Sequence, residues 1–225
     1  MAERTRTTTT YALLALLAIR PWTGYELTRQ LRRSLHYAWP RSEANLYKEQ
    51  KQLVGLGWAT VAKETIGKRT RNRYQITSAG RRALRAWMHT EPDVPHLEVE
   101  GVVRMFFADQ GSVEDLVQSI QTTGERAGDA VLELCEFVKD YFVTGGPFPE
   151  RLHAVALAAD LVTELLGRIE SYARDTVAEV VRWDSTKDRG LTKDARKHFD
   201  AILARGERIA AARGERAGAT RKDLL

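Results

Sequence analysis

The stretch from Arg41 to Thr77 constrains this chain more than any other, because a helix start, a helix stop, two strand-like runs and a basic turn follow one another without a gap. Ser42 can cap a helix running to about Leu56, with Gly57 as its stop. Trp58-Ala59-Thr60-Val61 and Tyr74-Gln75-Ile76 read as two short strands. Between them, Gly67-Lys68-Arg69-Thr70-Arg71-Asn72-Arg73 holds four positive charges and no negative one. A hairpin tip that basic belongs in solvent. A polar-faced helix followed by a basic wing is the layout of a double-stranded DNA reader.

At about 100° per residue, Leu46, Tyr47, Gln50, Leu53 and Val54 share one side of this helix. Arg41 (extrapolated to just before the cap), Ala44, Asn45, Lys48, Lys51 and Gln52 share the other. The outer side therefore offers Arg and Lys for guanine or phosphate, Asn and Gln for adenine, and a small Ala that permits close approach. An ordinary solvated face has the same composition; the wing and the charge distribution favour the DNA reading.

Charge along the 225 residues is segregated. Residues 1–90 hold 17 Lys/Arg against 5 Asp/Glu, residues 91–185 hold 7 against 19, and residues 186–225 hold 11 against 6. A basic head on an acidic body points to a polyanion at the head alone. Cys135 is the single cysteine, so a disulfide framework and a thiolate zinc site are excluded, and His36, His89, His96, His153 and His198 are too scattered to suggest a metal. No apolar run approaches the roughly 20 residues that span a bilayer, and Met1 to Thr10 has no apolar core of a signal peptide. The expectation is a cytoplasmic protein without metal or cofactor.

The first domain, residues 1–90, reads as a winged helix-turn-helix with a two-stranded wing. Tyr11 to Ile19 is an apolar core helix capped by the preceding threonines and ended by Pro21. Thr23 and Glu26 form a capping box for the next helix, whose inward stripe is Tyr25, Leu27, Leu31 and Leu35. Trp39-Pro40 breaks the chain before Ser42. Thr77 caps a fourth helix to about His89, with Leu84, Trp87 and Met88 expected inward.

Gly24-Tyr25, Leu46-Tyr47, Leu53 with Gly57, the basic run Lys68 to Arg73, and Tyr74, Thr77 and Gly80 together resemble the PadR family of transcriptional regulators over roughly residues 10–88. Gln50 departs from that pattern, where the family usually shows Leu, and either loosens the packing or adds a polar link. The resemblance implies a ligand-responsive repressor acting as a homodimer on a palindromic operator, with a small aromatic or hydrophobic effector. An activator would use the same contacts. The expected DNA-binding residues are Arg41, Ser42, Asn45, Tyr47, Lys48, Lys51, Gln52, Lys68, Arg69, Arg71 and Arg73.

Residues 91–185 read as a C-terminal helical dimerisation domain, which makes the chain mainly α. Leu97 to Ala108 is a short helix carrying Phe106 and Phe107; Ser112 and Asp115 box the start of a long helix to about Tyr141. After Gly145-Gly146-Pro147, a last helix repeats Leu152, Val155, Ala159, Val162, Leu166, Ile169, Ala173, Thr176, Val180 and Trp183 in steps of three and four. That heptad-type seam runs for roughly 31 residues or about 47 Å. Such a seam closes either within one chain or against a second subunit; the length favours a dimer interface formed by Leu152, Val155, Val162, Leu166, Ile169, Ala173, Phe106 and Phe107. Phe106, Phe107 and Trp87 are also candidates to line an effector pocket. Residues 186–225 read as a charged, frayed helix with a disordered end.

An enzyme is disfavoured. The chain has no Gly-rich phosphate loop, no nucleophile-base-acid order and no metal spacing. The surviving rival is a winged helix that binds an acidic protein instead of DNA.

Overall fold

A computed structural model describes residues 6–66, 69–187 and 189–218. The head contains α1 (Thr8–Ile19), a two-residue β1 (Trp22–Thr23), α2 (Gly24–Leu35), α3 (Glu43–Gly55), β2 (Ala59–Ile66), β3 (Arg69–Ile76) and α4 (Ser78–Met88). Beyond it lie α5 (Glu100–Phe106), a 3-10 turn at Ala108–Gln110, α6 (Val113–Thr144), a second 3-10 turn at Pro149–Arg151, α7 (Leu152–Val180) and α8 (Lys193–Gly218).

The helix starts follow local chemistry. Thr7 and Thr10 form a reciprocal cap on α1, Thr23 and Glu26 on α2, and Ser112 and Asp115 before α6. The backbone N–H of Thr23 holds the Glu26 carboxyl below its ordinary range. α3 stops at Leu56, and Gly57 follows with φ +68, a left-handed position that suits glycine.

The wing is longer than the sequence suggests and is not alone. β2 and β3 have eight residues each, and β1 adds to the far side of β3, giving an antiparallel sheet in the order β1-β3-β2. The second strand pair places Ala59 opposite Ile76, Val61 opposite Tyr74, Lys63 opposite Asn72 and Glu64 opposite Arg71. The core of the head is Leu13, Leu14 and Leu17 of α1, Leu27 and Leu31 of α2, Leu46 and Leu53 of α3, with Trp22, Tyr74 and Ile76 of the sheet and Trp58 just before β2. Two residues expected inward are open: Tyr25 is 65% exposed and Met88 is 69% exposed. Tyr25 lies one residue into α2, before the helix has turned onto α1, and Met88 is the last residue of α4.

By packing, the chain forms two compact units. One joins Met1–Leu97 with Lys139–Glu164; the other joins Glu98–Val138 with Leu165–Leu225. In the first, Phe148 packs at the edge of the Trp22 ring, 6.2 Å between centroids. The second has a small core of Leu116 and Ile120 from α6 with Ala173 and Val180 from α7. Gly124 is needed there, because a Cβ on it would lie 2.7 Å from the Ala173 Cβ. The chain after Ser185, read as frayed, carries the 26-residue helix α8; the expected disordered end, 219–225, lies outside the described residues.

Candidate nucleic-acid interface

α3 presents its polar side as its periodicity requires. Ala44, Asn45, Lys48 and Lys51 are exposed, whereas Leu46 and Leu53 are buried. Gln52 is half-buried. Ser42 accepts from the Asn45 backbone N–H at 3.3 Å, so its hydroxyl oxygen is engaged in the cap. The Arg41 guanidinium lies 4.3 Å from the Trp39 ring centroid and donates to the Pro40 carbonyl at 2.6 Å, which restrains it beside the helix start.

The inner side of α3 is less apolar than its spacing suggests. Glu49, only 6% exposed, accepts from the Thr10 hydroxyl at 2.6 Å and from the Thr7 hydroxyl at 3.1 Å. Gln50, its neighbour, donates through Nε2 to the Gly24 carbonyl and the Thr28 hydroxyl, both at 3.0 Å. Gln50 therefore adds a polar link to α2. Its Oε1 is buried without a hydrogen-bond partner, and sits 2.7 Å from where a Cβ on Gly24 would be. One helix is thus tied to α1 and to α2 by adjacent side chains. Sequence reading passed over Glu49 as a tie, although Leu46 three residues before and Leu53 four after put it on the buried side.

The pleat of the wing sorts its side chains into two faces. Tyr74 and Ile76 turn into the core, so Asn72 and Thr70 share their face, while Arg71 and Arg73 take the other. Arg73 is paired with Glu64 at 2.8 Å, and Nη1 lies 3.5 Å from the Pro21 carbonyl. That pairing holds its guanidinium still more firmly protonated. Arg71 is exposed. Lys68 lies outside the described residues, and Arg69 is placed by its backbone opposite Ile66.

Between α3 and the wing runs an open groove whose walls include Tyr25, Tyr47, Lys51, Arg71 and Asn72. Tyr47, assigned to the inner side by angle and also to the DNA-binding set, is 39% exposed. Burial raises the Tyr74 phenol above its ordinary range, partly offset by the Asn72 side chain, so it stays protonated at neutral pH. Tyr25, Thr70 and Asn72 are polar groups of this groove that sequence reading did not assign; only the alternation fixed by Tyr74 and Ile76 pointed to the last two. The groove offers hydroxyls, an amide and two cations, which suits a sugar-phosphate strand.

The second group of expected residues sits on the long helices. Leu152, Val155, Val162, Leu166 and Ile169 are half-buried, and Ala173 is buried within its own unit. The open apolar side chains of α7 are instead Leu157, Leu161 and Leu165. Phe106 and Phe107 are exposed and pack edge-to-face, 5.1 Å between centroids. Trp87 stacks on Tyr11 at 4.9 Å. Among the described residues no cluster of three or more His, Cys, Asp or Glu could hold a metal, and no helix is long and apolar enough to cross a membrane.

Residues 13–86 match the transcriptional regulator PadR-like family. The negative transcriptional regulator PadR of Bacillus subtilis (strain 168) is 26% identical over 99 residues, 43% of this chain and 54% of that protein, so the match spans about half the length of the curated relative. The structure of Bacillus subtilis PadR in complex with operator DNA superposes with a TM-score of 0.65 at 18% identity, over 77% of this chain and 99% of that one. The same protein in complex with p-coumaric acid gives 0.59 at 19%, over 78% and 100%. The Vibrio cholerae virulence activator AphA gives 0.62 at 21%, over 77% and 98%. These structural likenesses are likenesses of fold.

Proposed function

Because residues 13–86 match the PadR-like family of transcriptional regulators, we propose that the protein is a member of that family and a homodimeric, sequence-specific DNA-binding repressor acting in the cytoplasm. The observation that carries this is the outer side of α3: Asn45, Lys48 and Lys51 stand open beside the wing groove, on a helix whose inner side is tied to α1 and α2. Asn45 and Lys48, in the first turns, read base edges; Lys51, Tyr47 and Arg71 hold phosphates. Ser42 and Arg41 fix the start of the reading helix; Gln52 and the wing charges Lys68 and Arg69 are kept in the DNA-binding set on sequence alone. A twofold operator with half-sites about one helical turn apart, ~10 bp or a multiple, fits two such heads. The repressor sense follows the Bacillus relative, and a small aromatic effector follows the ligand in its second structure. Leu157, Leu161, Leu165, Phe106 and Phe107, together with the half-buried seam around Leu166 and Ile169, supply apolar surface for the second subunit.

The test is a salt titration of binding to an operator selected from random fragments. Lys51 and Arg71 in two subunits make about four charged phosphate contacts, so log K against log salt should fall with a slope of about −4. Asn45→Ala should relax preference at one base position at a cost of about 1–3 kcal/mol. A slope shallower than about −2, with no preferred sequence, would assign the basic face to an acidic protein partner instead.

A further inference from the structure

Helix α8 leaves its bulky apolar side chains open. Phe199, Ile202, Leu203 and Ile209 are each more than half exposed. At 100° per residue they fall on one arc about 120° wide. The half-buried Ala201 and Ala204 fall on the opposite arc, and His198 Nε2 meets Glu179 Oε2 of α7 at 2.9 Å. The His198–Glu179 pair ties the helix to its own unit, while its bulky stripe stays open. Burying a Phe, Ile or Leu gains far more than burying an alanine, so this arrangement is disfavoured for a helix with no second contact. Gly206 lies on the same outward arc with nothing within 4 Å of a Cβ built on it, leaving a notch in the stripe.

From this geometry we infer that the outward stripe of α8 docks on the outer face of α6 in a second copy of this chain. Charge selects that face. Residues 113–138 of α6 hold six Asp/Glu against one Arg, while residues 193–214 of α8 hold six Lys/Arg against three Asp/Glu. Two copies of α8 would bring like net charges together. Leu132, 67% exposed, shares one side of α6 with Glu125, Asp129 and Glu136, all exposed. Arg196 and Arg205 border the α8 stripe on its two sides, in position to meet those carboxylates while Phe199 and Ile202 cover Leu132. Within one chain both the stripe and Leu132 stay more than half exposed, so the pairing is made with a second copy. The inference rests on the homodimer reading and adds to it a contact made by the chain's last helix.

Cys135, exposed on α6 about 60° around the helix from Leu132, is a native probe. Full-length Ile202→Cys treated with a short bis-maleimide should give a covalent dimer on a denaturing gel, and adding Cys135→Ser should abolish it. Lys197→Cys, on the opposite arc of α8, should give none, and the wild type with Cys135 alone is the blank. Ile202→Asp, an exposed position that spares folding, should raise the dimer dissociation constant at least tenfold by sedimentation. A cross-link that survives Cys135→Ser would place α8 on α8 and overturn the inference, as would no cross-link or an unchanged constant in a wild type that is dimeric. A monomeric wild type would overturn this inference and the homodimer reading together.

Discussion

Replacing Gly80 with Ala should unfold the head at a lower temperature even though alanine is the better helix former. A Cβ at position 80 would sit 2.2 Å from the Trp58 carbonyl oxygen and 3.0 Å from Ile76 Cγ1. That oxygen cannot retreat freely, since it accepts from the Thr77 N–H at 2.9 Å, and Thr77 in turn donates its hydroxyl to the Gly57 carbonyl at 2.7 Å. Relieving the clash needs α4 and the start of β2 to part by about 1 Å. Overpacking of this kind costs about 1–3 kcal/mol, and weakening the Thr77–Trp58 hydrogen bond costs about 1 kcal/mol more. The intrinsic preference for Ala over Gly in a helix returns about 1 kcal/mol. The net loss is about 2 kcal/mol, which for a domain near 100 residues lowers the melting temperature by roughly 8–16 °C. Thermal unfolding followed by near-UV circular dichroism, which reports on Trp58 and Trp22, measures it. Gly24→Ala is the control, because there the obstacle is the far end of Gln50, and its loss should be smaller. A Gly80→Ala head that melts at or above the wild type would show that helix propensity outweighs the contact, and the reasoning would be refuted.

Three other outcomes are expected. Gln50→Leu gives up two hydrogen bonds of about 1 kcal/mol each but removes a buried, unpartnered oxygen worth a similar amount, so its urea-unfolding free energy should stay within about 1 kcal/mol of wild type; a drop as large as that of Gln50→Ala would mean that the polar link dominates. Arg71→Ala should weaken binding to all DNA sequences and make the salt slope shallower by about 2 for the dimer, whereas Arg73→Ala should leave the slope nearly unchanged because Glu64 already holds that guanidinium; equal slopes for the two variants would refute the idea that the Glu64 pair takes Arg73 out of DNA binding. The Glu26 carboxyl lies below its ordinary 4.5 in the folded chain, so its contribution is complete above the unfolded value and is lost as pH falls through the folded one. Melting curves from pH 6 to pH 2.5 should show Glu26→Gln losing less stability toward acid than wild type, and parallel curves would contradict this.

What could be read from the sequence was what depends on near neighbours. The capping pairs Thr23–Glu26 and Ser112–Asp115 span three residues, and both formed as expected. α3 was placed because Ser42, the apolar spacing and Gly57 agree. The strand β1 left no trace, since Trp22 and Thr23 pair with Tyr74 and Arg73, some fifty residues later. Counting charges in the wing treated Arg71 and Arg73 alike; they do share a face, and what tells them apart is Glu64 on the neighbouring strand, which pairs with Arg73. Glu49 was missed for the same reason as β1: its partners lie 39 and 42 residues before it. The stripe on α8 was hidden by its frequent charges, because alternation of Arg, Glu and Ala obscures four large side chains on one arc.

The link from Glu49 to Thr7 and Thr10 has a practical consequence for anyone trimming this protein. A chain shortened to start at Tyr11 would keep every buried leucine of α1 and would look, by its hydrophobic inventory, like a complete head. It would nevertheless strip a buried carboxylate of both hydroxyl donors, and a carboxylate in that position is destabilising until it finds another donor. The side of α3 that answers is the one opposite the bases, so the defect would surface as a misaimed reading helix in a domain that still folds. Hydrogen exchange would reveal it as amides of α3 losing protection together with the first turn of α1. The smallest head that keeps this support begins before Thr7, and fused tags belong well ahead of that residue or at the other end of the chain.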